Sequence, residues 1–274
     1  MLLLCFRSHI KGGRRKGMKE EKHYRRGKRR GGAASLVILV IALAVFCFSG
    51  FQLYKIFGGY FKGQKEYDKL RELAIDDKDN FRVDFDELMA INPDTVGWLR
   101  FYPEPSQINY PLVQTDNNDL YLSKTFSAND NTVGAIFLNY INHPDFNDKN
   151  TIIYGHRMKD NSMFHDLEKY QDESFWKDNQ YFYIYTPDGR EITYHIYSAG
   201  IVKDISDTYK TEFTTPEEFD EFLTTTLTAS AYSTDVKVYN EDLIVTLSTC
   251  TKESDDNRMV VRGVKISEKY LDQE

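Results

Sequence analysis

Hydrophobic positions fall into three regimes along the chain. From Ala33 to Leu53 the run AASLVILVIALAVFCFSGFQL holds no charged residue in 21 positions. A helix of that length covers about 30 Å, the thickness of a bilayer's hydrocarbon core, so a membrane-spanning signal-anchor is expected over about 33–57. Residues 58–91 then read as a helical extension. Tyr67, Leu70 and Leu73 recur at i, i+3 and i+6, and FDELMAI precedes Asn92-Pro93. From Asn92 onward the pattern shortens to strands. TVGWLRF, INYPLVQ, LYLSKTF, VGAIFLNY and TIIYGH are short, rich in β-branched and aromatic residues, and parted by Asn, Asp, Pro and Gly.

After a short helical interruption, SMFHDLEKY, come QYFYIYTP, a turn at Asp188-Gly189, and EITYHIYSAGIV, which together predict a hairpin. Thr215-Pro216-Glu217-Glu218 fits a helix-capping box with proline at the first helical position. Behind it Phe219, Phe222, Leu223 and Leu227 form an apolar stripe, a helix over Thr215–Ser230. EDLIVTLSTC and MVVRGVKI supply the last strands. About eight strands, few helices and no βαβ rhythm predict a mainly β protein, a closed antiparallel or mixed β-barrel over 92–274.

Charge sharpens the first regime. Residues 1–32 carry twelve Lys or Arg against two acidic residues, while the whole chain is −7, which leaves −17 on the remainder. A basic head beside an apolar span reads as a topology signal rather than a nucleic-acid site: the head stays cytoplasmic and the barrel is extracytoplasmic. No A-x-A site follows the span, and Phe46 rather than a small residue precedes Cys47, which argues against cleavage as a signal peptide or lipoprotein. Met18 follows KGGRRKG, a stretch that purine codons alone can encode. Synthesis is therefore expected to begin there, with 1–17 an artefactual start.

The chain has three cysteines. Cys5 lies in the basic head and Cys47 in the span, so Cys250 is the lone thiol of the expected exported part. It ends the strand EDLIVTLSTC, and Arg258 opens the next. His156 ends TIIYGH directly after Gly155, and is presented at a strand end as Cys250 is. His143, His165 and His195 read as ordinary loop, helix and strand residues. A cysteine nucleophile needs a base and a group that holds an oxyanion; each of the three strand-end residues also has a plain packing or solvation reading.

TLSTC at 246–250, an arginine opening the following strand, and a histidine in a YGH context about ninety residues upstream resemble the sortases, membrane-anchored cysteine transpeptidases of Gram-positive bacteria built on an eight-stranded β-barrel. The similarity runs from about Asn92 to Ile266. It implies Cys250 as nucleophile, His156 as general acid/base and Arg258 as oxyanion or substrate stabiliser. Asn118 and Leu122, in TDNNDLYL, resemble a substrate-lining segment of the family. Tyr154, Ser248 and Thr249 are substrate-binding candidates because they neighbour the histidine and the cysteine; each of the five also has a plain packing or solvation reading. The N-terminal span, the helices before the barrel and the helix before the cysteine strand are similar to class B. That class implies surface proteins with an NPxTx-like C-terminal sorting signal as clients, a peptidoglycan precursor (lipid II-type) amine as acceptor, and no cofactor or metal.

Rival readings separate on particular residues. An L,D-transpeptidase places S-x-G before its cysteine, where this chain has Ser248-Thr249. A papain-like protease places histidine after cysteine, and none follows Cys250. An exported cysteine hydrolase and a non-catalytic tethered binding domain stay open, to be told apart by thiol reactivity and by the product formed.

Overall fold

The computed structural model describes residues 32–77, 80–252, 254 and 256–271. The basic head through residue 31, and with it the expected start at Met18, lies outside the described residues. Two units separate, one through Phe51 and one from Gln52 onward. In the first, helix α1 (Gly32–Arg71) begins, and its side chains from Leu36 to Phe48 are more than half exposed wherever they are large and apolar. By length and composition this helix suffices to cross a membrane.

In the second unit α1 ends by burying Tyr67 and Leu70. The Tyr67 ring meets Tyr110 edge-on at 5.3 Å, and Arg71 donates from Nε to the Asn109 carbonyl. The helical reading of 58–91 breaks here. A two-stranded antiparallel hairpin, β1 (Ala74–Asp77) and β2 (Asn80–Val83), interrupts it before α2 (Phe85–Ile91). The stretch IDDKDN is rich in Asp and Asn, residue types of low helix propensity. Asp84 then caps α2, accepting from the Glu87 N–H at 2.9 Å.

Eight strands close the barrel: β3 (Thr95–Phe101), β4 (Asn109–Val113), β5 (Ile136–Leu138), β6 (Asn150–Tyr154), β7 (Tyr181–Tyr185), β8 (Arg190–Lys203), β9 (Ile244–Cys250) and β10 (Asn257–Tyr270). Around the wall their order is β10-β8-β7-β3-β4-β5-β6-β9, with β9 returning to β10. The barrel is mixed: β4–β5 and β6–β9 pair in parallel and the other pairs are antiparallel. Trp98, Phe101, Phe182 and Tyr194 are among the fully buried side chains of its strands, and burying a phenylalanine such as Phe101 or Phe182 contributes about 1.5–3 kcal/mol.

LYLSKTF, expected as a strand, is not one. Asn117 accepts from the N–H groups of Asp119 and Leu120 through Oδ1, which diverts donors a ladder would need. The chain turns as a 3-10 helix over Leu120–Leu122 instead. After β6 a 3-10 helix (His165–Gln171) and α3 (Glu173–Asp178) take up the expected helical interruption.

Helix α4 (Pro216–Thr228) lies in the connection before β9. Phe219, Phe222 and Leu223 pack on Tyr197, Ile244 and Val264. Leu227, expected on that stripe, is 42% exposed, and Thr226 is buried in its place. The sequence 219, 222, 223, 226 follows the helical period more closely, and Thr226 can occupy the buried position because its hydroxyl bonds the Leu223 carbonyl and meets the Tyr197 hydroxyl.

Candidate active site

Strand direction assembles the site. β6 and β9 run in parallel, Tyr154 opposite Ser248, so the residues that follow them emerge at one rim. The Gly155 N–H still donates to the Ser248 carbonyl at 3.2 Å, leaving His156 as the first residue beyond the pairing. β10 runs antiparallel to β9, with Arg258 directly opposite Cys250. Directly opposed residues share a face of the sheet, so thiol and guanidinium project to the same side. His156, Cys250 and Arg258 line one cleft of about 230 Å³.

Close packing and one hydrogen bond orient His156. Its Nε2 lies 2.7 Å from the Leu122 carbonyl oxygen. A carbonyl only accepts, so Nε2 carries the hydrogen, and Nδ1 is the ring atom that can take and return a proton. Against the ring stands Gly134, at φ +65°, where an added Cβ would lie 2.7 Å from His156 Cδ2 and 2.8 Å from the Tyr121 oxygen. A side chain there is excluded by both space and backbone conformation.

Arg258 is about a quarter exposed. It donates from Nη1 to the Asn257 carbonyl at 3.0 Å, and its Nη2 lies 3.7 Å from Asp204 Oδ2. Asp204 follows β8, whose Val202 pairs with Arg258. Cys250 is half-buried, a placement open to a substrate carbonyl yet shielded from bulk water on one side.

The five other residues singled out from sequence line the same cleft: Asn118, Leu122, Tyr154, Ser248 and Thr249. Asn118 accepts from the Tyr140 N–H and donates to Asn139 Oδ1. Leu122 exposes its side chain while its carbonyl holds the histidine. Tyr154 stacks on Tyr209, whose hydroxyl is 2.8 Å from Ser248 Oγ. Burial pushes both phenols above their ordinary range, so they remain O–H groups at working pH. Thr249 is buried on the alternate face of β9.

Asp119, Phe137 and Gly155 also line the cleft and were not singled out from sequence. Phe137 had the signal of a buried strand residue and nothing more. Asp204 and the Leu122 carbonyl had none, since both act through chain crossings that only the fold creates. The other histidines among the described residues lie elsewhere: His143 pairs with Asp148, His165 donates from Nδ1 to the Met158 carbonyl, and His195 meets Gln180. A larger hollow of about 530 Å³ beside Tyr232 and Val236 is lined by neither cysteine nor histidine. Chemistry, not size, selects the cleft at Cys250. Among the described residues no three His, Cys, Asp or Glu gather as a metal site.

A model of the sortase domain matches residues 104–266. Sortase B of Listeria monocytogenes is 34% identical over 245 residues, which cover 82% of this chain and 94% of that protein. The crystal structure of sortase B from Bacillus anthracis in complex with AAEK1 superposes with a TM-score of 0.68 at 32% identity, over 77% of this chain and 99% of that one. A Staphylococcus aureus sortase B–substrate complex superposes with a TM-score of 0.62 at 32% identity, over 66% and 84%. The chain belongs to the sortase family of cysteine transpeptidases. Within that family it is most like the class B enzymes, whose eight-stranded closed barrel it shares.

Proposed function

We propose that this chain is a membrane-tethered sortase that cleaves an NPxTx-like C-terminal sorting signal after its threonine and transfers the protein to an amine of a cell-wall precursor. The observation that carries the reading is the convergence of Cys250, His156 and Arg258 in one cleft, through the parallel β6–β9 pairing and the antiparallel β9–β10 pairing. That a Staphylococcus aureus sortase B forms a substrate complex supports reading this cleft as a substrate site.

His156 Nδ1 takes the proton of the Cys250 thiol, and the sulfur attacks the carbonyl that follows the signal's threonine. Charge gathers on the carbonyl oxygen, where the Arg258 guanidinium stabilises it by charge-assisted hydrogen bonds. As the C–N bond breaks, Nδ1 returns its proton to the leaving amine, and a thioester remains on Cys250. An incoming primary amine attacks the thioester and gives its proton to the same nitrogen. A new amide forms and the thiolate departs. Throughout, Nε2 keeps its hydrogen on the Leu122 carbonyl, so the ring shuttles protons from one edge.

The domain reading is 1–32 cytoplasmic, 33–57 in the membrane, 58–91 an extension, and 92–274 an extracytoplasmic catalytic barrel. The long apolar helix and the basic head support it. Incubation with NPxTx and LPxTG peptides plus an amine panel tests the reaction. A thioester on Cys250 and a ligated product from an NPxTx peptide are expected; hydrolysis alone across the panel contradicts transpeptidation.

A further inference from the structure

The loop that holds His156 is itself held by the end of α1. Residues 123–134 connect the 3-10 helix at Leu120–Leu122 to β5, and both ends of this loop touch the histidine. At its start is the Leu122 carbonyl, 2.7 Å from Nε2. At its end is Gly134, whose α-carbon side faces the ring so closely that a methyl group would not fit.

Between those ends the loop is fastened to one face of α1. Buried Tyr67 donates its hydroxyl to the Gly134 carbonyl at 2.7 Å and accepts from the Phe126 N–H at 3.2 Å. Glu66 accepts from the Thr125 hydroxyl and the Ser127 N–H, each at 2.9 Å. One turn earlier, Gly63 lets Val133 approach so near that an added Cβ would lie 3.0 Å from Val133 Cγ2. Further back, Asn131 donates to the Gly59 carbonyl at 2.9 Å. Burial raises the Tyr67 phenol well above its ordinary range, so the hydroxyl stays a donor at any working pH.

We propose that Tyr67 and Glu66 are positioning residues for His156, and that the stretch of α1 from Gly59 to Arg71 sets the angle of the imidazole through the 123–134 loop. The path has two hydrogen-bonded links and one steric contact: Tyr67 to Gly134, Gly134 against the ring, and the ring to Leu122. Burial of Leu70 and the Arg71 hydrogen bond to the Asn109 carbonyl already tie the helix to the barrel. The hydroxyl of Tyr67 and the carboxylate of Glu66 instead spend their bonds on the one loop that grips the histidine. A displacement of about 1 Å at a proton-transferring group costs on the order of a hundredfold in rate, so a loosened loop registers in turnover before it registers in substrate affinity.

The inference rests on His156 as the acid/base, and the experiment separates the two claims. Full-length protein in detergent micelles is prepared as wild type, Tyr67→Phe, Glu66→Gln, Glu66→Ala and His156→Ala, with 13C-labelled histidine. Transpeptidation of an NPxTx peptide gives kcat and KM, and NMR follows the four barrel-domain histidines, His156 being assigned by its loss in His156→Ala. For folded Tyr67→Phe the expected result is a kcat lowered at least about tenfold with KM within about twofold. The His156 ring signal should move while those of His143, His165 and His195 stay. Glu66→Ala should follow the same pattern and Glu66→Gln, which keeps an acceptor oxygen, should restore most of it. Wild-type kcat with an unmoved His156 signal overturns the proposal, even where melting temperature falls. If Tyr67→Phe does not fold, the Glu66 pair is read by the same two criteria. Wild-type turnover in His156→Ala would instead sink the role given to the histidine, and leave the NMR result to judge the loop alone.

Discussion

At the scale of single residues, the cleft divides labour among groups that cannot replace one another. Cys250→Ala removes the proposed attacking atom while its strand keeps its partners on both sides; no thioester adduct should be found by intact mass, and unfolding should be unchanged. An adduct on that variant would place the nucleophile elsewhere. Arg258 offers a planar fork beside the thiol, and its Asp204 and Asn257 contacts fix the orientation. A lysine supplies charge without that fork, so Arg258→Lys should lose on the order of a hundredfold in kcat, as removal of an oxyanion donor does. Steady-state kinetics with a peptide substrate decides it, and retention within about threefold would reduce the role to charge alone. Thiol, imidazole and guanidinium were legible in the sequence because each stands at the end or start of a strand-like run. The Leu122 carbonyl and Gly134 were not. A carbonyl has no letter of its own, and a glycine reads as a turn until its neighbour is known.

At the scale of elements, α4 shows what local chemistry can and cannot forecast. The capping box was legible, and Thr215 Oγ1 does accept from the Glu218 N–H. The returning bond goes to Thr214 rather than to the cap residue, and Lys210 joins it. Lys210 first, then the Thr214 N–H and hydroxyl, hold the Glu218 carboxyl down to about 2. The unfolded chain therefore binds this proton more tightly than the folded protein. Stabilisation from the bond is complete above about pH 4.5 and is lost as pH falls through about 2. Denaturation curves across that window should show a shallower acid loss in Glu218→Gln than in wild type; parallel curves would mean the bond contributes nothing. On the buried face, Phe219→Ala should cost about 3–5 kcal/mol in denaturant unfolding, because Phe219 meets Phe213, Phe222 and the barrel wall. A cost below about 1 kcal/mol would mean that α4 docks without that ring. The hairpin β1–β2 escaped the sequence reading because four-residue strands carry too few positions to establish a period.

At the scale of the whole molecule, strand order does what no single segment announces. Eight of the nine strand-like runs became barrel strands, so fold class was legible from period and turn residues. The β7–β8 hairpin was legible too, from its Asp188-Gly189 turn, but the parallel pairing of β6 with β9 was not, since it joins segments ninety-odd residues apart. That pairing places the histidine and cysteine ends at one rim. The proposed orientation in the cell rests on the other end of the chain. With the basic head inside, protease added to intact protoplasts should digest the barrel; protection until lysis would contradict that topology.

Transfer to an amine is the central claim, and one measurement reaches it directly. The protein is mixed with an NPxTx peptide, first alone and then with a glycine- or diaminopimelate-type amine, and followed by mass spectrometry. Without amine, turnover should be slow and a thioester on Cys250 should accumulate. With amine, turnover should rise and a ligated peptide should appear. Fast cleavage without amine, and no ligated product over a broad amine panel, would contradict the account and leave a cysteine hydrolase on a sortase fold.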